Sequence, residues 1–585
     1  MNDLNINKEV NDTARNVLPE DTTEEAATTL LGAAEQDTLE PTDLSGISFS
    51  NQGDITKSFW SFRSFRHGLT WILCLAMLAN AWGRNTLSMA MVCMVNASAL
   101  VKRQVNSSFG DELVDGCGNV AIDSGEKYEG DIMWNSAEQG LLFSAIYWGG
   151  AIVGLPSGWL INRYGSKRVV TICLVMTIIC TLTTPVSATQ GGLWPTFLVR
   201  FIMGFGGQVV LNIAITVIMA QWIPPAERST VLALYTSGNQ LAIIVGMPVN
   251  AALCGSKDFL GGWPSIFYFA GGVVLVSTIM WHVFVDDTPA KSRWISKSEL
   301  QYIEKSLQSQ SLGKKKQAMR AVPWRRILLS HALWTAVATN FASGLVASTL
   351  QSYIPTYYKE ALRIDLESNG LFSALPFLAQ LGSKMVFAVV ADAMKKHTKI
   401  SHTVICKSFN TLGTIIASGF LVACAFMNCH QVVWAIILLS LANAAFSGLI
   451  PGAMTALVSF APAYTGIVNG ISRFAAQIAS IVAPYIVGLV TKDGTPEQWR
   501  TVFYVMGGAM TACGIYFLFY GTVKIQDWAK FSDPDDNLGA TKQEGFVKVL
   551  SESALESKSS MTAPAGQVSL IGSLNRDSGD KVVHF

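Results

Sequence analysis

Charge is scarce in this chain. Of its 585 residues, 14% are Asp, Glu, Lys or Arg, against about 25% in a typical soluble domain. The shortfall is concentrated in blocks that hold none of the four: 169–199, 259–285, 327–358, 408–429 and 431–462. Crossing the hydrocarbon core of a bilayer takes about 20 apolar residues as a helix, because lipid satisfies no exposed backbone group. The blocks are therefore predicted to be membrane helices, and a soluble fold is excluded. Acid is scarcer still at depth. Four charged residues sit inside otherwise apolar stretches, Arg84, Arg200, Lys384 and Arg473, and all are positive. An ionised side chain is costly in hydrocarbon, so such residues face a water-filled path and mark its chemistry. A purely cationic interior points to a small anionic solute.

Further absences narrow the function. The sequence has no phosphate-binding loop, no nucleophile–base pair and no metal-ligand spacing, so catalysis, ATP-driven transport and a bound cofactor are not expected. A net charge of +1 gives no footing for nucleic acid. The ten cysteines lie mostly inside apolar stretches, show no pairing pattern, and read as small hydrophobic residues. The first 60 residues are polar and acidic, so no cleavable signal peptide is expected.

What is present is an all-α membrane protein with twelve spans, at 68–95, 138–161, 169–189, 193–222, 230–254, 262–285, 329–357, 369–391, 404–428, 431–457, 464–490 and 499–523. The expected organisation is a disordered acidic tail (1–65), a six-helix half (66–285), a linker (286–328), a second six-helix half (329–523) and a polar tail (524–585). Residues 298–307 of the linker read as a short amphipathic helix. Lysine and arginine collect in alternate loops, at Arg63 and Arg66, Arg163 to Arg168, the linker, and Lys395 to Lys399. Positive loops stay inside, which places both tails and the linker in the cytoplasm. The sequons at Asn96 and Asn106 fall in the long loop on the other side. Asn106 is the expected glycosylation site, with Asn96 too near the membrane.

The loop after the second span carries Gly158, Asn162, Arg163, Gly165, Lys167 and Arg168. That spacing fits G-x-x-x-[DN]-R-x-G-x-[RK]-[RK] and resembles the gating loop of the major facilitator superfamily. There, two parallel six-helix repeats rock about a substrate near the midplane. Asp392, 230 residues beyond Asn162, stands at the equivalent place in the second half. These groups are expected to bind across the cytoplasmic gate.

A narrower resemblance rests on Arg84-Asn85 with Met94-Val95-Asn96, Glu138-Gln139-Gly140, Tyr147-Trp148-Gly149 and Trp222-Ile223-Pro224-Pro225-Ala226-Glu227-Arg228-Ser229. Ala374-Leu375-Pro376, Ala483-Pro484 and Trp499-Arg500 follow in order. The chain resembles the solute carrier 17 family of anion transporters, which includes sialin, the vesicular glutamate transporters and the sodium–phosphate cotransporters. The resemblance implies that Arg84 and Arg200 match family arginines near the substrate. Three positions depart from the family: its fourth-helix glutamate falls at Gly207 or Gln208, its seventh-helix arginine at Ser343 and its second-helix histidine at Phe143. Arg473, where the family has Asn, is expected near the midplane as a substrate or gate contact, or as a structural pair. Lys384 either joins the substrate or snorkels to the interface. Tyr147, Trp148, Tyr235, Tyr353 and Tyr357 are cavity candidates or members of an interfacial belt. The reading is a secondary transporter of organic or inorganic anions, of the phosphate or carboxylate class. Sodium or a proton is left open as coupling ion, and the membrane is plasma, endolysosomal or vesicular. The alternative is a non-transporting receptor or scaffold that keeps the fold.

Overall fold

Apolar segments whose backbone meets no water must bond within themselves, and this chain does so almost entirely as helices. The structure is a computed structural model that describes residues 64–96, 130–154, 156–224, 227–256, 261–312, 322–461 and 464–529. Asn106, residues 1–63 and residues 530–585 lie outside these residues. The first group of helices is α1 (Phe65–Met94), α2 (Ser136–Gly154), α3 (Ser157–Tyr164) and α4 (Ser166–Val186). It continues with α5 (Leu193–Phe205), α6 (Gln208–Trp222), α7 (Arg228–Gly255) and α8 (Trp263–Phe284). Two helices follow in the linker, α9 (Lys297–Leu312) and the short α10 (Trp324–Leu328). The second group is α11 (His331–Glu360), α12 (Leu366–His397), α13 (His402–Thr411), α14 (Ala417–Cys424) and α15 (Val432–Phe446). It ends with α16 (Thr455–Ser459), α17 (Thr465–Val490) and α18 (Pro496–Tyr520). Among the described residues the sole β feature is a parallel bridge between Val95 and Ile132.

Among the described residues, nine helical stretches are long and apolar enough to cross a membrane, and α2 with α3, bent by 62°, makes a tenth. The two remaining rods, α1 and α11, are each 30 residues long. They carry more polar residues because protein rather than lipid surrounds them: most of each helix is buried. They are the first rods of their groups, so the twelve-helix reading holds with its least apolar members at the centre.

One stripe of α17 shows how the two groups meet. A Cβ on Gly140 of α2 would lie 2.5 Å from the Pro484 carbonyl oxygen, and one on Gly488 would lie 2.5 Å from that of Ser136. Farther along the same stripe, Gln477 donates from Nε2 to the Tyr147 carbonyl at 2.9 Å. Past that point the stripe parts from its neighbour. Arg473 is exposed, and Gly470 and Gly466 have open space in front of them. The seam between the groups is thus closed toward the Val490 end of α17 and open toward the Thr465 end. Two cross-bonds reinforce the closed side. Ser88 Oγ donates to the Ser352 carbonyl at 2.6 Å, and Lys359 Nζ donates to the Val92 carbonyl at 2.5 Å.

The linker helix is docked rather than loose. Glu299 of α9 is 4% exposed. Its carboxylate accepts from Ser64 Oγ (2.7 Å), from the Phe65 and Arg66 amides (3.1 and 3.2 Å) and from Arg66 Nε (3.0 Å). The first amides of a helix have no intrahelical acceptor and carry the positive end of its dipole. Glu299 therefore caps α1 from another element. Arg66 also donates to Glu227 Oε2 at 2.6 Å, and its guanidinium lies 4.8 Å from the centre of the Tyr302 ring. The expected amphipathic helix exists and is longer than 298–307.

The cysteines do not all act as small hydrophobic residues. Cys93 and Cys254, 161 residues apart, form a disulfide, and Cys429 is disulfide-bonded as well. α1 and α7 run in the same direction, so their last turns meet at the closed end. That meeting is invisible in residue spacing. Cys74, Cys173, Cys180, Cys406 and Cys424 are free and buried.

Candidate substrate site

Arg84 lies in α1 ten residues before its end, about 15 Å along the axis. Its Nη2 donates to Asn239 Oδ1 of α7 at 3.1 Å. Arg200 lies in α5, 2% exposed, and donates from Nη1 to the Arg84 backbone carbonyl at 3.2 Å. Its Nε and Nη2 have no hydrogen-bond partner among the described residues. Both arginines line one cavity of about 310 Å³, its mouth included, with Asn85, Ser88, Tyr147 and Ser352 supplying the other polar groups. Leu87, Leu142, Phe143 and Ile146 complete the wall, which contains no carboxylate. Taking a guanidinium out of water costs several kcal/mol unless another group replaces the lost hydration. Arg200 keeps two donors unsatisfied, so the cavity favours an occupant that accepts hydrogen bonds and carries negative charge.

The four intramembrane cations are not equivalent. Arg84 and Arg200 share the cavity, whereas Arg473 and Lys384 do not line it. Lys384 donates from Nζ to Thr236 Oγ1 of α7 at 2.8 Å. Arg473 of α17 is exposed where the seam opens. The positions that depart from the family are also informative. Phe143 lines the cavity and packs against Tyr353 at 4.8 Å between ring centres. Ser343 bonds within its own helix, to the Asn340 carbonyl, and Gly207 forms the break between α5 and α6. Of the aromatic candidates, Tyr147 lines the cationic cavity, while Tyr353 and Tyr357 line a separate apolar one with Trp499. Trp148 is 43% exposed.

In the loop Gly158–Arg168, the Lys167 amide donates to Asp287 Oδ1 at 2.7 Å, and its Nζ pairs with Asp286 Oδ1 at 2.8 Å. Gly165, with φ 85°, makes the turn that lets Asp287 approach. Gly158, Asn162, Arg163 and Arg168 are exposed. Asp392, also exposed, pairs with Lys395 of its own helix at 3.1 Å. Among the described residues no bond joins the loop to Asp392. That agrees with a seam open at this end. Asn96 lies two residues beyond α1, its amide bonded to the Ile132 carbonyl at 3.0 Å. Asn239, Ser352, Asp286 and Asp287 were not singled out in the sequence. They are ordinary polar residues whose partners come from distant elements.

Comparison with known proteins agrees with this architecture. Residues 73–420 and 406–564 match the Major Facilitator Superfamily. The chain is 31% identical to the uncharacterized transporter slc-17.3 of Caenorhabditis elegans, over 82% of this chain and 93% of that one. It is also 31% identical to a putative inorganic phosphate cotransporter of Drosophila melanogaster, over 81% and 87%. Among solved structures, a D-xylose-proton symporter superposes with a TM-score of 0.56 at 14% identity, covering 79% of this chain and 100% of that one. At that identity the likeness shows the fold alone. The rods, the central cationic cavity and these matches together place the chain in the major facilitator superfamily, as a multi-pass membrane transporter of the solute carrier 17 family.

Proposed function

We propose that this chain moves an organic or inorganic anion by alternating access, with Arg84 and Arg200 gripping its phosphate or carboxylate group. The observation that carries the reading is Arg200, buried with two unsatisfied donors beside a second guanidinium in a cavity without acid. A planar guanidinium matches an oxyanion bidentately, which suits two such groups to this task. The Drosophila relative's name, which specifies inorganic phosphate, supports the same class of solute. A cation would meet uncompensated repulsion here. The cavity also argues that ion coupling, to sodium or to protons, does not run through a carboxylate beside the anion. The scaffold alternative has no observation in its favour.

The disulfides support an orientation. Cys93 and Cys254 meet at the closed end, and disulfides persist on the oxidising side of a membrane. The open end, with the basic loops and both tails, then faces the cytoplasm. Purified chain in proteoliposomes, offered labelled phosphate and a labelled carboxylate, tests the site. Arg84→Ala and Arg200→Ala are each expected to reduce uptake by at least a hundredfold with unchanged yield and melting temperature. Normal uptake by both variants would remove this site.

A further inference from the structure

The closed side of the seam is held where the first rods of the two groups meet. On α1, Arg84, Ser88 and Val92 follow at four-residue intervals, so they share one face. On α11, Ser352, Thr356 and Lys359 follow at intervals of four and three and share a face in the same way. Two hydrogen bonds join these faces, from Ser88 Oγ to the Ser352 carbonyl and from Lys359 Nζ to the Val92 carbonyl. Lys359 lies seven residues beyond Ser352, whereas Val92 lies four beyond Ser88. A side chain on a helix leans back toward the N-terminus, and the lysine stem covers that difference. Ser88 and Ser352 line the cationic cavity. The ammonium therefore stands one turn outside it, on the way to the closed end.

The bond serves its two partners unequally. Val92 is in the last turn of α1, whose final carbonyls have no intrahelical donor and carry the negative end of the dipole. The amide four residues on, that of Asn96, goes to the Ile132 carbonyl, and the last turn holds no basic residue. Lys359 supplies both the missing donor and the missing positive charge from the second group. The ammonium gains less. It has three donors, and among the described residues one neutral carbonyl is the acceptor it engages. No ion pair joins it to an Asp or Glu among those residues. The carboxylate next in the chain, Glu360, accepts from Trp499 Nε1 of α18 at 3.1 Å. Thr356, between Lys359 and the cavity, is 7% exposed, and its hydroxyl has no partner among the described residues. The Val92 carbonyl is a fixed post, because the Cys93–Cys254 disulfide ties the end of α1 to α7 within the first group.

We infer that Lys359 is the latch of the closed side and, once that side opens, the cation that meets the anion there. The inference rests on alternating access, not on the grip by Arg84 and Arg200. Parting the two groups on this side breaks the bond to Val92 and leaves an uncompensated ammonium facing the path. A charged oxyanion is a stronger partner for it than a neutral carbonyl. An anion arriving from that side thus offsets the cost of opening, and a neutral solute does not.

Thiol labelling of the purified full chain in detergent tests both halves of the inference. Thr356→Cys reports on the closed side, and Gly470→Cys, with open space in front of it, on the open side. The unsubstituted chain supplies the background, since five of its free cysteines are buried. Lys359→Met is expected to speed maleimide labelling at Thr356→Cys about fivefold and to slow it at Gly470→Cys, as the population shifts to the opposite state. Lys359→Arg, which keeps the charge and the donors, is expected to restore both rates. Lys359→Gln is expected to act in the same direction as Lys359→Met, and it replaces that variant if the methionine chain does not fold. Thr356 lies about one turn, or 4.5 Å along the axis, from Lys359. An anionic methanethiosulfonate is therefore expected to react at Thr356→Cys about tenfold faster than a cationic one. That preference should vanish with Lys359→Met or Lys359→Gln and persist with Arg84→Ala and Arg200→Ala. The latch is overturned if loss of Lys359 leaves both reporters unchanged, or speeds both, which would be general loosening and not a shift between two states. The anion contact is overturned if the charge preference survives without Lys359, or disappears with Arg84 and Arg200. Failure of the proposed grip reads separately, as uptake that persists without those two arginines.

Discussion

Arg200 has two tasks that pull against each other. It must stay charged where water is excluded, and it must keep donors free for an occupant. The structure meets both by giving Nη1 a carbonyl and leaving Nε and Nη2 unpartnered. Arg200→Lys separates charge from geometry. Lysine keeps the charge but replaces a planar fork with a point, so a bidentate grip is lost. Initial uptake by this variant in proteoliposomes is expected to fall tenfold or more, with a smaller loss than for Arg200→Ala. Equal rates for wild type and Arg200→Lys would mean that charge alone is read. At this scale the sequence is legible where a residue contradicts its surroundings. A lone arginine in an apolar helix is visible without a structure. Its partners are not: Asn239 is 155 residues from Arg84, and Cys254 is 161 from Cys93. For the same reason spacing could not tell which of the four cations share a cavity.

Helix α9 shows an element whose existence was legible and whose purpose was not. Its amphipathic pattern predicts a surface helix, yet one of its acids is buried as the cap of α1. Glu299→Ala would strip four hydrogen bonds at once and leave Arg66 with less counter-charge. Removing one partner of a buried ion pair costs about 3–5 kcal/mol; the lower end applies because Arg66 keeps Glu227. Thermal unfolding in detergent is expected to show a clear drop in midpoint for Glu299→Ala and a smaller one for Glu299→Gln, which still accepts hydrogen bonds. A midpoint unchanged by Glu299→Ala would mean that the linker does not brace the first rods. The packing of α2 on α17 depends instead on side chains that are missing. At Gly140 an added Cβ meets a backbone carbonyl that has nowhere to move. Gly140→Val is therefore expected to hold the closed side apart. The readout is Ser352→Cys, 8% exposed in this state, which should react with an external maleimide much faster when Gly140→Val is present.

For the molecule as a whole, the count of rods was readable because lipid imposes one requirement on every crossing segment. α1 and α11 meet that requirement least by composition, since protein shields them: most of each helix is buried. The position of the seam was not readable, because it depends on how two surfaces pair. The structure supplies that pairing for one state and constrains the other. α2 and α17 run antiparallel, with Ser136 against Gly488 and Gly140 against Pro484. Continuing this register by whole turns sets Gly154 of α2 opposite Gly470 of α17. In the present state the two faces have separated by that point, since Gly470 meets nothing. Alternating access requires them to close when the other side opens. The paired variant Gly154→Cys with Gly470→Cys is thus expected to cross-link with a short bifunctional maleimide only as the protein cycles. Cross-linking should rise when Gly140→Val weakens the opposite side, and uptake should stop once the link forms. A pair that never links under turnover, while each single cysteine labels normally, would show that α17 does not zip onto α2. Transport would then need a different hinge.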